Sequence, residues 1–168
     1  MIRIILPATV SIFLAPLADA EGTGVLEIHA QKQMDMAACV TTGDSGSCVR
    51  ILACVGSGGL WIDGQALGWN SGALIGRRSD GVMCTGTWSN GVESSRLPEV
   101  NFECGDGSSG TASFYYQDSL TGTAIATGTD TMGRRIDAWS GENVLRFLGN
   151  GNVKAAELPC TDRAIPIG

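Results

Sequence analysis

Charge and histidine are scarce in this chain. Charged residues make up 17% of its 168 positions, against about 25% in an ordinary globular domain. There is one histidine, His29, and proline contributes 5 residues. The abundant Glu, Lys, Leu and Ala of a coiled coil or long helical bundle, set in a 3.5-residue rhythm, are missing, which excludes those classes. No two cysteines stand two residues apart, the close pairing that zinc sites favour. No acidic loop carries carboxylates at the alternating positions of a calcium site. Neither a metal nor a cofactor is therefore expected. The net charge of −6, with an isoelectric point near 4.6, disfavours nucleic acid and anionic lipid as partners.

Long apolar runs are confined to the N-terminus. Arg3 precedes an apolar stretch from Ile4 to Leu17, and Ala18-Asp19-Ala20 follows with small residues where a signal peptidase reads. The stretch is shorter than the ~20 residues of a membrane-spanning helix. The reading is a signal peptide over 1–20 and a single β-rich domain over 21–168, periplasmic or secreted, with no integral membrane segment after cleavage at Ala20. The first cysteine is Cys39, too far from the junction for an acylated lipoprotein.

Glycine is what the chain has in excess: 24 of 168 residues, about twice the usual share of ~7%. Much of it sits in turn dipeptides. Asp63-Gly64, Asp80-Gly81, Asn90-Gly91, Asp106-Gly107 and Asn150-Gly151 suit tight hairpins, where positive φ is needed. Short strand-like runs lie among them: Val25–Ala30, Cys48–Val55, Leu60–Ile62, Val82–Trp88, Val100–Cys104, Ala112–Tyr116, Thr123–Thr129 and Arg134–Trp139. The spacing predicts an all-β domain, a small antiparallel β-barrel or sandwich. At most one or two short helices are expected. One candidate is capped by Ser140, carries Val144, Phe147 and Leu148 on one face and stops at Gly149; a strand over Val144–Leu148 is the alternative. A helical turn over Gln31–Ala38 is the other candidate.

The six cysteines, Cys39, Cys48, Cys54, Cys84, Cys104 and Cys160, form an even set in an exported chain and read as disulfides. A hairpin turning near Ser94 places Cys84 opposite Cys104. Cys39 and Cys48 flank a turn-like stretch, which leaves Cys54 for Cys160 and a clamp on the C-terminal tail.

Candidate chemistry is sparse. Gly43-Asp44-Ser45-Gly46 resembles the nucleophile loop of chymotrypsin-like proteases. The only histidine is His29 and the only acid between the two is Asp35, so a triad converging from separate elements has no basis, and a polar turn is expected. Val55–Gly59 matches neither a nucleophile elbow nor a phosphate loop. Asp63, Asp80, Asp106, Asp118, Asp130, Asp137, Glu99, Glu103 and Glu142 are candidates for a glycosidase-like pair, and spacing singles out none of them. The pairs Arg77-Arg78 and Arg134-Arg135 read as solvated strand ends or turns. Each tryptophan has a glycine two or three residues later, which reads as a large ring capping the open end of a barrel or sandwich. Trp61, Trp69, Trp88, Tyr115 and Trp139 are the candidate binding residues; Tyr115 and Tyr116 would face opposite sides of one strand.

The stretch from Gly122 to Leu148, with Trp139-Ser140-Gly141-Glu142-Asn143-Val144, resembles small uncharacterised exported proteins of Gram-negative bacteria, over roughly residues 48–149. Phe102-Glu103-Cys104 and Trp139-Ser140-Gly141 also resemble the aromatic-x-Cys strand and Trp-turn-Gly of periplasmic C-type lysozyme inhibitors, small disulfide-linked β-barrels. The inhibitors' Ser-Gly-x-x-Tyr loop has no counterpart here. The leading expectation is a non-catalytic exported domain that binds a protein or an envelope component such as a polysaccharide. An inhibitor of an envelope-degrading enzyme, implied by the second resemblance, and a hydrolase using a carboxylate pair are the alternatives.

Overall fold

A computed structural model describes residues 39–91 and 97–168. Residues 1–20, the run Val25–Ala30 with His29, Asp35, the stretch Gln31–Ala38 expected to form a helical turn, and Ser94 lie outside the described residues.

Eight antiparallel strands close into a barrel in simple up-and-down order. They are β1 (Cys48–Val55), β2 (Leu60–Gly68), β3 (Ser71–Arg78), β4 (Met83–Ser89), β5 (Glu99–Cys104), β6 (Ser109–Gln117), β7 (Ala124–Asp130) and β8 (Arg135–Gly141). β1 pairs with both β2 and β8, from Arg50↔Gly141 to Val55↔Ile136 on the latter side, which leaves no open edge. Of the two architectures the sequence allowed, this is the barrel. A short helix α1 (Val144–Leu148), a 3-10 turn (Val153–Ala155) and a two-stranded ribbon, β9 (Glu157–Leu158) with β10 (Ile165–Pro166), complete the domain. The helix takes Asn143 rather than Ser140 as its N-cap, because Ser140 belongs to β8. Among the described residues no helix is long and apolar enough to cross a membrane.

Period-2 alternation sets what faces inward. Ala53, Val55, Ile62, Ala112, Ala126, Ile136 and Ala138 pack in one interior cluster with Cys84 and Cys104. Ile51, Leu74 and Val100 form a second layer with Trp88, Phe102 and Phe114. Outward positions on β4–β7 carry Thr85, Thr87, Asn101, Glu103, Thr111 and Thr129, most of them exposed. Apolar-in and polar-out is the reverse of the alternation in a membrane-spanning barrel.

Two sequence expectations change here. Asp63-Gly64 is not a turn but the middle of β2, where Gly64 pairs with Gly76 of β3. A Cβ on Gly64 would fall 2.4 Å from the Ile75 carbonyl oxygen, so the bare backbone is what allows β2 and β3 to approach here. β3 itself, Ser71–Arg78, is a strand that alternation did not reveal, because Gly72 and Gly76 blank out its pattern.

Three disulfides join Cys39 to Cys48, Cys54 to Cys160 and Cys84 to Cys104, and no cysteine among the described residues is free. Cys84 and Cys104 are directly opposed across β4 and β5, inside the barrel. Cys54 faces outward and holds the C-terminal segment against β1 and β8. There Leu52, Trp139, Val144, Leu158 and Cys160 form a second, external core, joined by the half-buried Trp61. Three such bonds suit an oxidising compartment rather than a reducing one.

Candidate functional site

The topology gives the barrel two unlike ends. The turns β1–β2, β3–β4, β5–β6 and β7–β8 crowd one end. The connections β2–β3 and β6–β7, with the entry to β1 and the exit from β8, surround the other.

The first end is sealed by charge. Arg78, at the end of β3, is expected from its neighbour Arg77 to be a solvated pair member, yet its side chain is 7% exposed. Its Nη2 lies 2.7 Å from Asp80 Oδ2 on the β3–β4 turn and 2.7 Å from Asp106 Oδ2 on the β5–β6 turn. Its Nε donates to Asp80 Oδ1 at 2.8 Å and its Nη1 to Ser108 Oγ at 3.3 Å. Two turns are thus tied across the barrel end by one guanidinium whose planar fork reaches both. The Ser108 hydroxyl, the Ser108 N–H and Arg78 together hold the Asp106 carboxyl well below the usual carboxylate range. Arg78 does the same to Asp80. On the β7–β8 turn the buried Asp130 carboxylate accepts from the N–H groups of Met132 and Arg134 and from Arg134 Nε. Burial alone would raise its pKa; these bonds outweigh it and the net shift is downward.

The second end is open. A cavity of about 570 Å³ sits in the mouth, its floor built from Ile51, Val100 and Phe114 and its walls from Trp69, Trp88, Tyr115 and Tyr116. Of four tryptophans, two tyrosines and four phenylalanines in the chain, two tryptophans, both tyrosines and one phenylalanine line this space. Trp88 is a fixed wall, because its Nε1 donates to the Leu67 carbonyl at 2.9 Å. Trp69, 51% exposed, stands at the rim on the β2–β3 connection.

The tyrosines reach the mouth through an irregularity. Phe114 pairs with Ala126 and Tyr116 with Ile125, so Tyr115 is an extra residue in β6. A bulge of this kind re-aims side chains locally. Both residues border the cavity here, although Tyr116 is paired with Ile125, which packs on the outer wall beside Trp139.

Of the five aromatic residues picked from sequence, the mouth therefore gathers Trp69, Trp88 and Tyr115 and not the other two. Trp61 and Trp139 do not cap a barrel end; both lie on the outer wall under the C-terminal segment, packed in the external core. Phe114 and Tyr116 complete the lining, and the adjacent aromatic run Phe114-Tyr115-Tyr116 was the available signal.

The aspartates are otherwise occupied. Asp63 is bidentate to Arg50, Asp118 accepts from Thr121, and Asp137 accepts from Arg135. With Asp80, Asp106 and Asp130 already described, each aspartate considered for catalysis binds a neighbour on its own or an adjoining turn or strand. The Gly43–Gly46 loop is a polar turn: Asp44 accepts from the Thr42 hydroxyl at 2.6 Å and from the Gly46 N–H at 2.8 Å, and Ser45 is exposed.

No protein-family model matches this chain, and no curated protein matches it. Among solved structures it is similar to a fluorescence-activating β-barrel designed de novo, at a TM-score of 0.45 and 15% identity, covering 58% of this chain and 92% of that one. It is also similar to two redesigned β-barrels bound to DFHBI. One is mFAP0, at 0.43 and 16% over 58% of this chain and 97% of that one. The other is mFAP1, at 0.43 and 15% over 58% and 94%.

Proposed function

We propose that this protein is a non-catalytic, exported binding barrel that holds its ligand in the open mouth. One observation carries the reading: one end of the barrel is closed by the Arg78 network, and the other opens into an aromatic-walled cavity of about 570 Å³. A concave space with apolar and aromatic walls and a few polar groups is the usual form of a small-ligand site. The closed barrel supplies a rigid wall, so little order must be gained on binding. Export is supported by the leader-like N-terminus and by three disulfides.

Titration of isotope-labelled secreted protein with a soluble envelope extract tests this by amide shifts. Perturbation centred on Trp69, Trp88, Val100 and Tyr115 is the expected result. Shifts confined to the outer faces of β4–β7 or to the C-terminal segment would refute the mouth as the site.

A further inference from the structure

We propose that the groove beside the β6–β7 connection is a self-association surface, on which a second copy of this chain docks about a two-fold axis. The groove, about 760 Å³, runs between that connection, helix α1 and the C-terminal segment. Trp139, Phe147 and Leu148, all members of the external core, give it an apolar floor. Leu120 forms its lip and is 89% exposed, more than any other large hydrophobic side chain among the described residues. The turn that carries Leu120 is pinned. Asp118 Oδ2 accepts from the Thr121 N–H and from the Thr121 hydroxyl at 2.7 Å each, and the Gly122 N–H donates to the Asp118 carbonyl at 2.8 Å. An apolar knob already held in place loses little freedom on docking.

A knob and a hollow side by side in one patch are what an isologous contact needs, since each copy supplies the knob that fills the other's hollow. The charges agree. Arg146 on α1 and Glu157 on β9 both line the groove and are exposed, and among the described residues neither forms an ion pair within its own chain. Asp118, the other carboxylate at the groove, is committed to Thr121. A patch of one sign repels its own copy. A patch with one cation and one carboxylate to spare can face itself, Arg146 of each copy meeting Glu157 of the other. Burial of Leu120 on the apolar floor supplies the attraction. The two ion pairs, exposed at the edge, fix register rather than affinity. The inference is independent of what the open mouth holds.

Sedimentation equilibrium of the disulfide-intact protein over a concentration series tests this. The expected result is a monomer–dimer equilibrium with a dissociation constant of about 100 μM or tighter. Leu120→Asp, a change at an exposed turn, should weaken it about tenfold or more and leave the urea midpoint of the monomer unchanged. Arg146→Glu and Glu157→Arg should each weaken it about fivefold, because each sets like charges together. The two combined should restore it to within about twofold of the unmodified protein. A protein that stays monomeric at about 500 μM overturns the proposal. So does a dimer that Leu120→Asp leaves intact, which would be built on another face. Weakening in both single charge variants without recovery in the combination overturns it as well, since the register argued here requires Arg146 to meet Glu157.

Discussion

Cys54 is bonded to Cys160 across a separation of 106 residues. The bond pins the C-terminal segment over Leu52 and Trp139 on the outer barrel wall, so the external core depends on a cross-link as well as on packing. In the chain-entropy account a loop of this length contributes about 4–5 kcal/mol, and measured losses for native disulfides run at about 2–5 kcal/mol. Replacing both cysteines, Cys54→Ala with Cys160→Ala, is expected to lower stability by that amount in a urea titration. Tryptophan emission should shift to the red as Trp139 gains water. The interior does not use this bond, so far-ultraviolet dichroism of the barrel should persist below the new midpoint.

The sealed end predicts acid sensitivity of a definite sign. Asp80, Asp106 and Asp130 at this end, and Asp118 on the β6–β7 connection at the other, all titrate below the ordinary carboxylate range in the folded chain. In the unfolded chain they titrate near 3.9. Just below that value the unfolded state binds more protons, so stability is fully present above about pH 5 and falls as pH drops through the depressed folded values. Urea midpoints should be flat from about pH 7 to pH 5 and then decline towards pH 2. Asp106→Asn should start lower at neutral pH and decline less steeply. An unchanged slope would show that the Arg78 network does not carry the effect.

The same network predicts an asymmetry between its partners. The Arg78 side chain is 7% exposed, whereas those of Asp80 and Asp106 are 45% and 38% exposed. Removing the guanidinium leaves two carboxylates that water can reach. Removing both carboxylates leaves a cation that water cannot reach, which is the costlier defect. The double variant Asp80→Asn with Asp106→Asn is therefore expected to unfold at lower urea than Arg78→Met. The reverse order would mean that the arginine stem, rather than its charge, seals the barrel.

Gly64 and Gly76 test the close approach of β2 and β3. A Cβ on Gly64 would meet the Ile75 carbonyl at 2.4 Å, and one on Gly76 would meet the Ile62 side chain at 2.8 Å. Backbone cannot yield as a side chain can. Gly64→Ala should cost about 2–3 kcal/mol and Gly76→Ala less, about 1 kcal/mol, in thermal or urea unfolding.

These glycines also show where the fold could be read from sequence and where it could not. Alternation in Val100, Phe102 and Cys104 places β5 by itself, and an opposed Cys84 follows once β4 and β5 are joined as a hairpin. Alternation fails in β3, because Gly72 and Gly76 offer no side chain to count, and it misreads Asp63-Gly64, because a glycine needed for close approach has the same letter as one needed for a turn. The site was legible only in part for a related reason. All four tryptophans are followed closely by glycine, yet Trp69 and Trp88 sit at the mouth while Trp61 and Trp139 sit under the C-terminal segment. Which of the two a ring meets depends on a bond between residues 106 apart, and no local pattern records that. The burial of Arg78 is hidden likewise, since its partners come from two different turns.

The bulge at Tyr115 allows the mouth to be altered without unmaking the barrel. Phe114 pairs with Ala126, Tyr116 with Ile125 and Gln117 with Ala124, so the one unmatched residue in β6 is Tyr115. Deleting it brings the two strands into continuous register and keeps every other pair. Phe114 and Gln117 would still face inward and Tyr116 outward, in step with Ala126, Ala124 and Ile125 across the ladder. The deletion is therefore expected to change stability by no more than about 1 kcal/mol, since it removes a ladder irregularity along with one exposed ring. Tyr115 leaves the border of the cavity while Tyr116 keeps its place opposite Ile125, so the amide shifts that a soluble envelope extract induces at Trp69 and Trp88 should weaken while the fold persists. A deletion variant that unfolds would mean the bulge is required for closure of the barrel. One that folds and binds as before would mean the ligand does not touch the β6 side of the mouth.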